Sequence, residues 1–302
     1  MKLKSLIIIA GPTGVGKTAV AHQLALEMNG EIVSADSRQI YRYLDIGTAK
    51  PSLNFRGQIP YHLIDIVNPD EDFSVADFKQ QAEGIIDQLH LQGKLPFLVG
   101  GTGLYIKSIV SGLFPSPPPD LAFRQQLQEE ASLLGTNHLH QRLSAIDQTA
   151  ASKISNNDLR RIIRALEVYQ QTGKPISCLQ QLATTHKDYH LIMICLNQDR
   201  QQLYSQISLR VDRMIETGWV EEVRGLLEKG YSPNLIPMEA LGYQQIIKHL
   251  QGIYTLAEAI DMIKQSSCQF AKRQLTWFRA DSRYVWLEPD NMEEIRKVMG
   301  VI

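Results

Sequence analysis

The apolar run Leu6-Ile7-Ile8-Ile9-Ala10 leads directly into Gly11-Pro12-Thr13-Gly14-Val15-Gly16-Lys17-Thr18, and a helical pattern follows from Ala19 to Met28. The spacing G-x-x-x-x-G-K-[ST], set between a buried strand and a helix, constrains the fold more than any other feature of the chain. Glycines let the backbone curl so that successive N–H groups turn inward on a phosphate chain, and the helix behind the loop adds the positive end of its dipole. Lys17 supplies a mobile positive charge and the Thr18 hydroxyl a ligand for Mg2+. Such a loop holds a diphosphate or triphosphate; it does not say what becomes of it.

The 302 residues suit one or two domains. A hydrophobic fraction of 44% with 21% charged residues is that of an ordinary enzyme with a sizeable core. Lys and Arg total 31 against 32 Asp and Glu, a net charge of −1, which excludes a globally basic nucleic-acid binder but leaves room for local basic patches. Cys178, Cys195 and Cys268 are odd in number and far apart, so neither a disulfide framework nor a zinc site is expected, in keeping with a reducing cytoplasm. The N-terminal apolar run is too short for a signal peptide, and no membrane span is expected.

Short β-rich runs at Ser5–Ala10, Glu31–Ser34, His62–Val67, Leu95–Val99, Leu191–Leu196 and Tyr284–Leu287 alternate with amphipathic stretches such as Val75–Leu91. This alternation predicts an α/β fold, a P-loop NTPase-like core with a parallel sheet flanked by helices. It breaks after Phe114, where Pro115-Ser116-Pro117-Pro118-Pro119-Asp120 makes a stiff exit into a purely helical pattern. The expected organisation is a first core segment over 1–114, a helical insertion domain over 115–185, and a second, mostly helical core segment over 186–302.

Asp36, in Ser34-Ala35-Asp36-Ser37-Arg38-Gln39, falls just past a strand end, at the sheet edge where the phosphate loop also lies. A carboxylate there can bind Mg2+, act as a general base, or merely cap the next turn. A second loop, Gly100-Gly101-Thr102-Gly103-Leu104-Tyr105, allows either close approach to a ligand or a tight strand-to-helix turn, and Thr102 can donate to a substrate oxygen. Arg160, Arg161 and Arg164 share a helical segment, while Phe270-Ala271-Lys272-Arg273-Gln274-Leu275-Thr276-Trp277-Phe278-Arg279 interleaves cations with aromatics. That pattern suits phosphates and unpaired bases, or an ordinary solvated helix face. Arg210 and Arg213 can clamp a phosphate or pair with Asp212 or Glu216.

Taken in order, these motifs, with Gly47-Thr48-Ala49-Lys50-Pro51, Tyr61-His62-Leu63-Ile64-Asp65, Ser74-Val75-Ala76-Asp77-Phe78, Asn157–Val168, Arg210–Met214 and Ala240-Leu241-Gly242-Tyr243, resemble the bacterial-type tRNA dimethylallyltransferases over almost the whole chain. The resemblance implies transfer of a dimethylallyl group from dimethylallyl diphosphate to N6 of the adenosine 3′ of the anticodon, in tRNAs reading codons that begin with U. By the same resemblance Gly11, Pro12, Thr13, Gly14, Val15, Gly16, Lys17, Thr18 and Arg210 hold the diphosphate rather than drive ATP hydrolysis, with Mg2+ at Thr18. Asp36 is then the general base, and Thr102 lies at the reacting region. Asp36, Ser37, Arg38, Gln39, Thr102, Arg124, Arg160, Arg161, Arg164, Gly242, Tyr243, Lys272 and Arg273 would contact the anticodon arm. A monomer without membrane association is expected. Gln244-Gln245 departs from the Lys-Glu-like pair common in the family, and no Cys/His cluster matches the zinc finger of eukaryotic relatives. An enzyme prenylating free AMP, ADP or ATP shares the loop and Asp36, and the helical insertion and the basic C-terminal stretch argue against it. A small-molecule kinase shares the loop but needs a nucleobase pocket, a separate acceptor site and ATP turnover.

Overall fold

The computed structural model describes residues 4–182 and 189–300. The chain divides into two compact units, Met1–Val110 with Asp188–Ile302, and Ser111–Lys187. The boundary expected between 185 and 186 lies outside the described residues.

The first unit is built on strands β1 (Lys4–Ala10), β2 (Gly30–Ser34), β3 (Tyr61–His62), β4 (Leu95–Gly100), β5 (Tyr189–Leu196) and β6 (Val285–Leu287). They form one sheet in the order β3-β2-β4-β1-β5-β6, and every pairing is parallel. Around it lie α1 (Lys17–Glu27), α2 (Leu53–Gln58), α3 (Val75–Leu91) and α4 (Gly103–Val110). The second unit is helical, with α5 (Leu121–Leu134), α6 (Thr136–Ile146), α7 (Gln148–Ala151), α8 (Leu159–Thr172) and α9 (Ile176–Gln181). The first unit resumes with β5 and continues through α10 (Arg200–Glu216), α11 (Trp219–Glu228), α12 (Tyr243–Leu250), α13 (Leu256–Arg279) and α14 (Met292–Val298).

Central β1 is apolar on both faces because both are covered, as a parallel sheet requires. Leu6, Ile8 and Ala10 pack with Phe78, Ala82 and Ile86 of α3 and with Ile106 and Ile109 of α4. Ile7 and Ile9 pack with Ala21, Leu24 and Ala25 of α1 and with Leu203 and Ile207 of α10. Helix α3 starts where its sequence says it should, since Ser74 and Asp77 form a capping box. A separate cluster beyond the sheet joins Ile40, Tyr41 and Leu44 to Val211, Trp219, Val223, Tyr243 and Ile246.

One expected strand is shortened. The run His62–Val67 is extended only at its start, because β3 ends at His62 and Leu63 and Asp65 take positive φ values of 60° and 58°. The turn aims the Asp65 carboxylate at Lys50 and Arg56, and Val67 rejoins the structure by a single bridge to Tyr41.

In the second unit Leu127, Leu139, Leu143, Ile162, Leu166 and Val168 form the core. Glu167 is fully buried in that unit and accepts from Arg124 Nε at 2.7 Å and Nη2 at 2.9 Å, from the Asp120 N–H at 2.7 Å, and from Arg164.

Candidate active site

A parallel sheet places every strand's C-terminal end at one edge, and three loops meet there. The phosphate loop follows β1, the Asp36 loop follows β2, and the Gly100–Thr102 turn follows β4. In the phosphate loop Gly14 and Gly16 take positive φ, 83° and 94°, which a side-chain-bearing residue adopts only under strain. The N–H groups of Gly14, Gly16, Lys17 and Thr18 enter no hydrogen bond among the described residues, the condition for cradling an anion at a helix N-terminus.

Lys17 Nζ donates to the Pro12 carbonyl at 2.7 Å, so the side chain folds back over its own loop. Burial, and next the charge of Arg210, pull its pKa from 10.5 down to about 8, with Asp36 and Cys195 opposing. Arg210, on α10, forms no hydrogen bond or ion pair among the described residues. Burial also lowers the pKa of its guanidinium, and Asp36 again opposes. Two cations and one carboxylate therefore act on one another at this edge. For both cations, burial outweighs the attraction of the Asp36 carboxylate.

Asp36 Oδ1 accepts the N–H groups of Arg38 at 2.8 Å and Gln39 at 3.3 Å. The carboxylate thus caps its own turn with one oxygen, and the other enters no hydrogen bond among the described residues. Thr102 Oγ1 accepts the Ser37 N–H at 3.0 Å, and the Thr102 N–H donates to the Ala35 carbonyl at 3.1 Å, which locks the second and third loops together. The glycines of the third loop serve protein packing. A Cβ at Gly100 would overlap the Ala35 backbone, one at Gly101 would overlap Gln274, and one at Gly103 would overlap Trp277. Beside Arg210 opens a pocket of about 490 Å³ whose lining includes Lys50, Arg56, Arg210 and Arg213 together with Ile46, Pro51 and Met214, cationic and apolar at once.

The residues expected to meet RNA separate into groups. Arg160, Arg161, Lys272 and Arg273 are exposed. Arg124 and Arg164, also expected at the anticodon arm, each pair with the buried Glu167 and stay partly exposed. Tyr243 is corrected: its side chain is completely enclosed and its hydroxyl donates to Glu222, so it packs rather than reads RNA. Gly242 is likewise a packing position, since any Cβ there would overlap the Trp219 ring. Arg38 donates to the Ile236 carbonyl at 2.8 Å, and Gln39 bonds to Ser34 and to the carbonyls of Thr48 and Ala49, so both brace neighbouring loops.

Three supporting residues escaped the sequence reading. Gln274 lies at a buried helix position three residues after Ala271 and four before Phe278, a polar residue in an apolar stripe. Glu167 interrupts the otherwise apolar buried run Ala165-Leu166-Glu167-Val168 in the same way. Such buried polar positions signal fixed partners. Glu222, the third, carries no comparable signal.

A phosphate loop, a carboxylate and an unpaired arginine at one edge of a parallel sheet define an α/β enzyme of the phosphate-loop class. The chain matches a family model described as IPP transferase over residues 39–281, and one described as isopentenyl transferase over residues 4–57. It is 47% identical to the tRNA dimethylallyltransferase of Heliobacterium modesticaldum, covering 98% of this chain and 93% of that one. To the enzyme of that name from Alkaliphilus oremlandii it is also 47% identical, over 99% and 96%. Among solved structures it is similar to the tRNA isopentenylpyrophosphate transferase of Bacillus halodurans, with a TM-score of 0.69 at 41% identity over 99% and 94% of the two chains. It is similar also to a eukaryotic dimethylallyltransferase acting on tRNA, with a TM-score of 0.79 at 26% identity over 98% and 77%. The chain belongs to the tRNA dimethylallyltransferase family and is a prenyltransferase that modifies tRNA.

Proposed function

We propose that this enzyme moves a dimethylallyl group from dimethylallyl diphosphate to N6 of the adenosine immediately 3′ of the anticodon, in tRNAs reading codons that begin with U, and releases diphosphate. The observation that carries the reading is the mutual placement of Lys17, Arg210 and Asp36, two cations short of an anion beside a carboxylate with one free oxygen. The diphosphate lies on the phosphate loop between Lys17 and Arg210, with the apolar part of the adjoining pocket beside it. Negative charge builds on the bridging oxygen as the C–O bond breaks, and the loop N–H groups, Lys17 and Arg210 stabilise it.

The exocyclic amine of adenine is a poor nucleophile because its lone pair is delocalised into the ring. As the N–C bond forms, the nitrogen becomes acidic, and the free oxygen of Asp36 takes its proton without needing a high pKa. Thr102, fixed to the Asp36 loop through Ser37, lies at the reacting base. That base leaves its stack to reach a buried donor. Exposed Arg160, Arg161, Lys272 and Arg273 contact the RNA backbone.

The donor set fits Mg2+, which binds through few protein oxygens and keeps phosphate and water ligands. The Thr18 hydroxyl has no protein partner among the described residues. Bound there, the ion would neutralise charge on the diphosphate.

The test is transfer of label from radioactive dimethylallyl diphosphate to two acceptors side by side, an unmodified tRNA with three adenosines spanning the last anticodon base, and AMP or ATP. Label in the tRNA, lost when the target adenosine is changed, supports the reading. Label in the free nucleotide alone, or ATP turnover without prenyl transfer, overturns it.

A further inference from the structure

We infer that Gln274 is a positioning residue that sets the distance between the donor and acceptor halves of the active site. Its side chain is 7% exposed and spans two loops. Gln274 Oε1 accepts the Thr13 N–H of the phosphate loop at 2.8 Å, and Nε2 donates to the Gly101 carbonyl at 2.9 Å. No other side chain among the described residues hydrogen-bonds to both loops. Both ends of the amide are used with correct polarity, so its orientation is fixed by its partners.

The link continues. Thr102, next to Gly101, accepts from the Ser37 N–H and donates its own N–H to Ala35, the two residues that flank Asp36. A chain of hydrogen bonds therefore runs from the phosphate loop through Gln274 and the Gly101-Thr102 turn to the Asp36 loop. Gly101 is required for it, because a Cβ there would overlap Gln274 Nε2. Helix α13 holds the amide in place from behind, with Ala271 and Phe278 completely buried on either side of it.

This inference rests on the reading that the phosphate loop holds the donor while Asp36 and Thr102 hold the acceptor. Under it, the separation of the two loops decides whether the adenine nitrogen reaches the allylic carbon at bonding range. Misplacement by about 1 Å costs on the order of 100-fold in rate while leaving each partner bound. Gln274 touches neither reactant, so its removal should slow the joining step and spare both binding steps.

The experiment compares wild type with Gln274→Met, which keeps the volume and removes both hydrogen bonds, and with Gln274→Ala. The single-turnover rate of label transfer to an anticodon stem-loop RNA is measured at saturating donor and RNA. Separate titrations give the Kd of dimethylallyl diphosphate and of the RNA, and thermal unfolding reports the fold. Wild-type transfer to the RNA establishes the underlying reading by itself; its absence defeats that reading whatever the variants do. Given wild-type transfer, the expected result for folded Gln274→Met is a rate lower by about 30- to 100-fold, with both Kd values within about threefold of wild type. An unchanged rate overturns the inference. So does a rate loss matched by an equal loss of donor affinity, which would make Gln274 a support of the phosphate loop alone. Failure of both variants to fold overturns it in favour of a packing role.

Discussion

The Tyr243 hydroxyl donates to the Glu222 carboxylate at 2.6 Å, and that same carboxylate accepts the N–H groups of Asp45, Ile46 and Gly47 at 2.9, 2.6 and 3.2 Å. Burial first, and then the charge of Glu222, push the Tyr243 pKa well above 10, so the phenol stays a neutral donor. One carboxylate thus shapes the loop whose Asp45 and Ile46 line the pocket beside Arg210. Glu222→Ala should leave these donors without a partner and cost about 3 kcal/mol, while Tyr243→Phe removes one bond and costs about 1 kcal/mol. Urea denaturation checks the order. Donor KM should rise for Glu222→Ala and stay near wild type for Tyr243→Phe, whose loop keeps its three bonds.

The arginines of α8 divide by environment. The Arg161 side chain is 64% exposed and, among the described residues, pairs only with Asp158 at 3.2 Å, whereas Arg164 is drawn to the buried Glu167. Arg161→Ala should weaken tRNA binding and lower the salt slope by about one, with unfolding unchanged. Arg164→Ala should cost about 3 kcal/mol of stability, because it deprives a buried charge of a partner. Filter-binding titrations across salt, set beside unfolding curves, separate the two. Equal salt slopes for the two variants would contradict the division.

The difference between these arginines marks where the sequence stops being legible. The phosphate loop, the strand–helix alternation and the ends of α3 could be read because each is fixed by local chemistry: glycine at positive φ, apolar faces, a capping box. The Asp36 loop could be placed at the sheet edge for the same reason. What could not be read was which polar groups spend their hydrogen bonds on partners distant in sequence. Arg124 meets Glu167 across 43 positions, Gly47 meets Glu222 across 175, and Thr13 meets Gln274 across 261. Only the folded chain makes those pairs, and they decide that Arg124, Arg164 and Tyr243 support the structure while Arg160, Arg161, Lys272 and Arg273 face solvent.

The helical unit should weaken in acid through Glu167. Desolvation raises the pKa of this carboxyl, but hydrogen bonds from Arg124, Arg164 and the Asp120 N–H outweigh it and hold the folded value below the ordinary 4.5. The unfolded chain therefore takes up the proton first as pH falls. Stability contributed by the ionised carboxylate is complete above about 4.5 and is lost as pH drops through the lower folded value. Thermal unfolding from pH 6 downward should show this fall in the wild type and a flatter profile in Glu167→Gln. Gln cannot titrate but is less stable at neutral pH. Parallel profiles would assign the acid sensitivity elsewhere.

Asp36 needs a substitution that separates its two duties. One oxygen caps the turn through Arg38 and Gln39, and under the proposed function the other takes the proton of the adenine amine. Asp36→Ala removes both, so a slow enzyme could reflect a collapsed turn. Asp36→Asn keeps an oxygen to cap the turn and removes the base. The amide also presents N–H donors where an acceptor is needed. Its turnover should fall by on the order of 100-fold or more, with tRNA affinity within about threefold and unfolding close to wild type. Asp36→Ala should lose turnover at least as far and stability besides, about 1 kcal/mol for the lost cap. Single-turnover prenyl transfer by both variants, with tRNA binding measured on the same preparations, is the check. Near-wild-type transfer by Asp36→Asn would show that the proton leaves by another route, and would reduce Asp36 to the cap of its own turn.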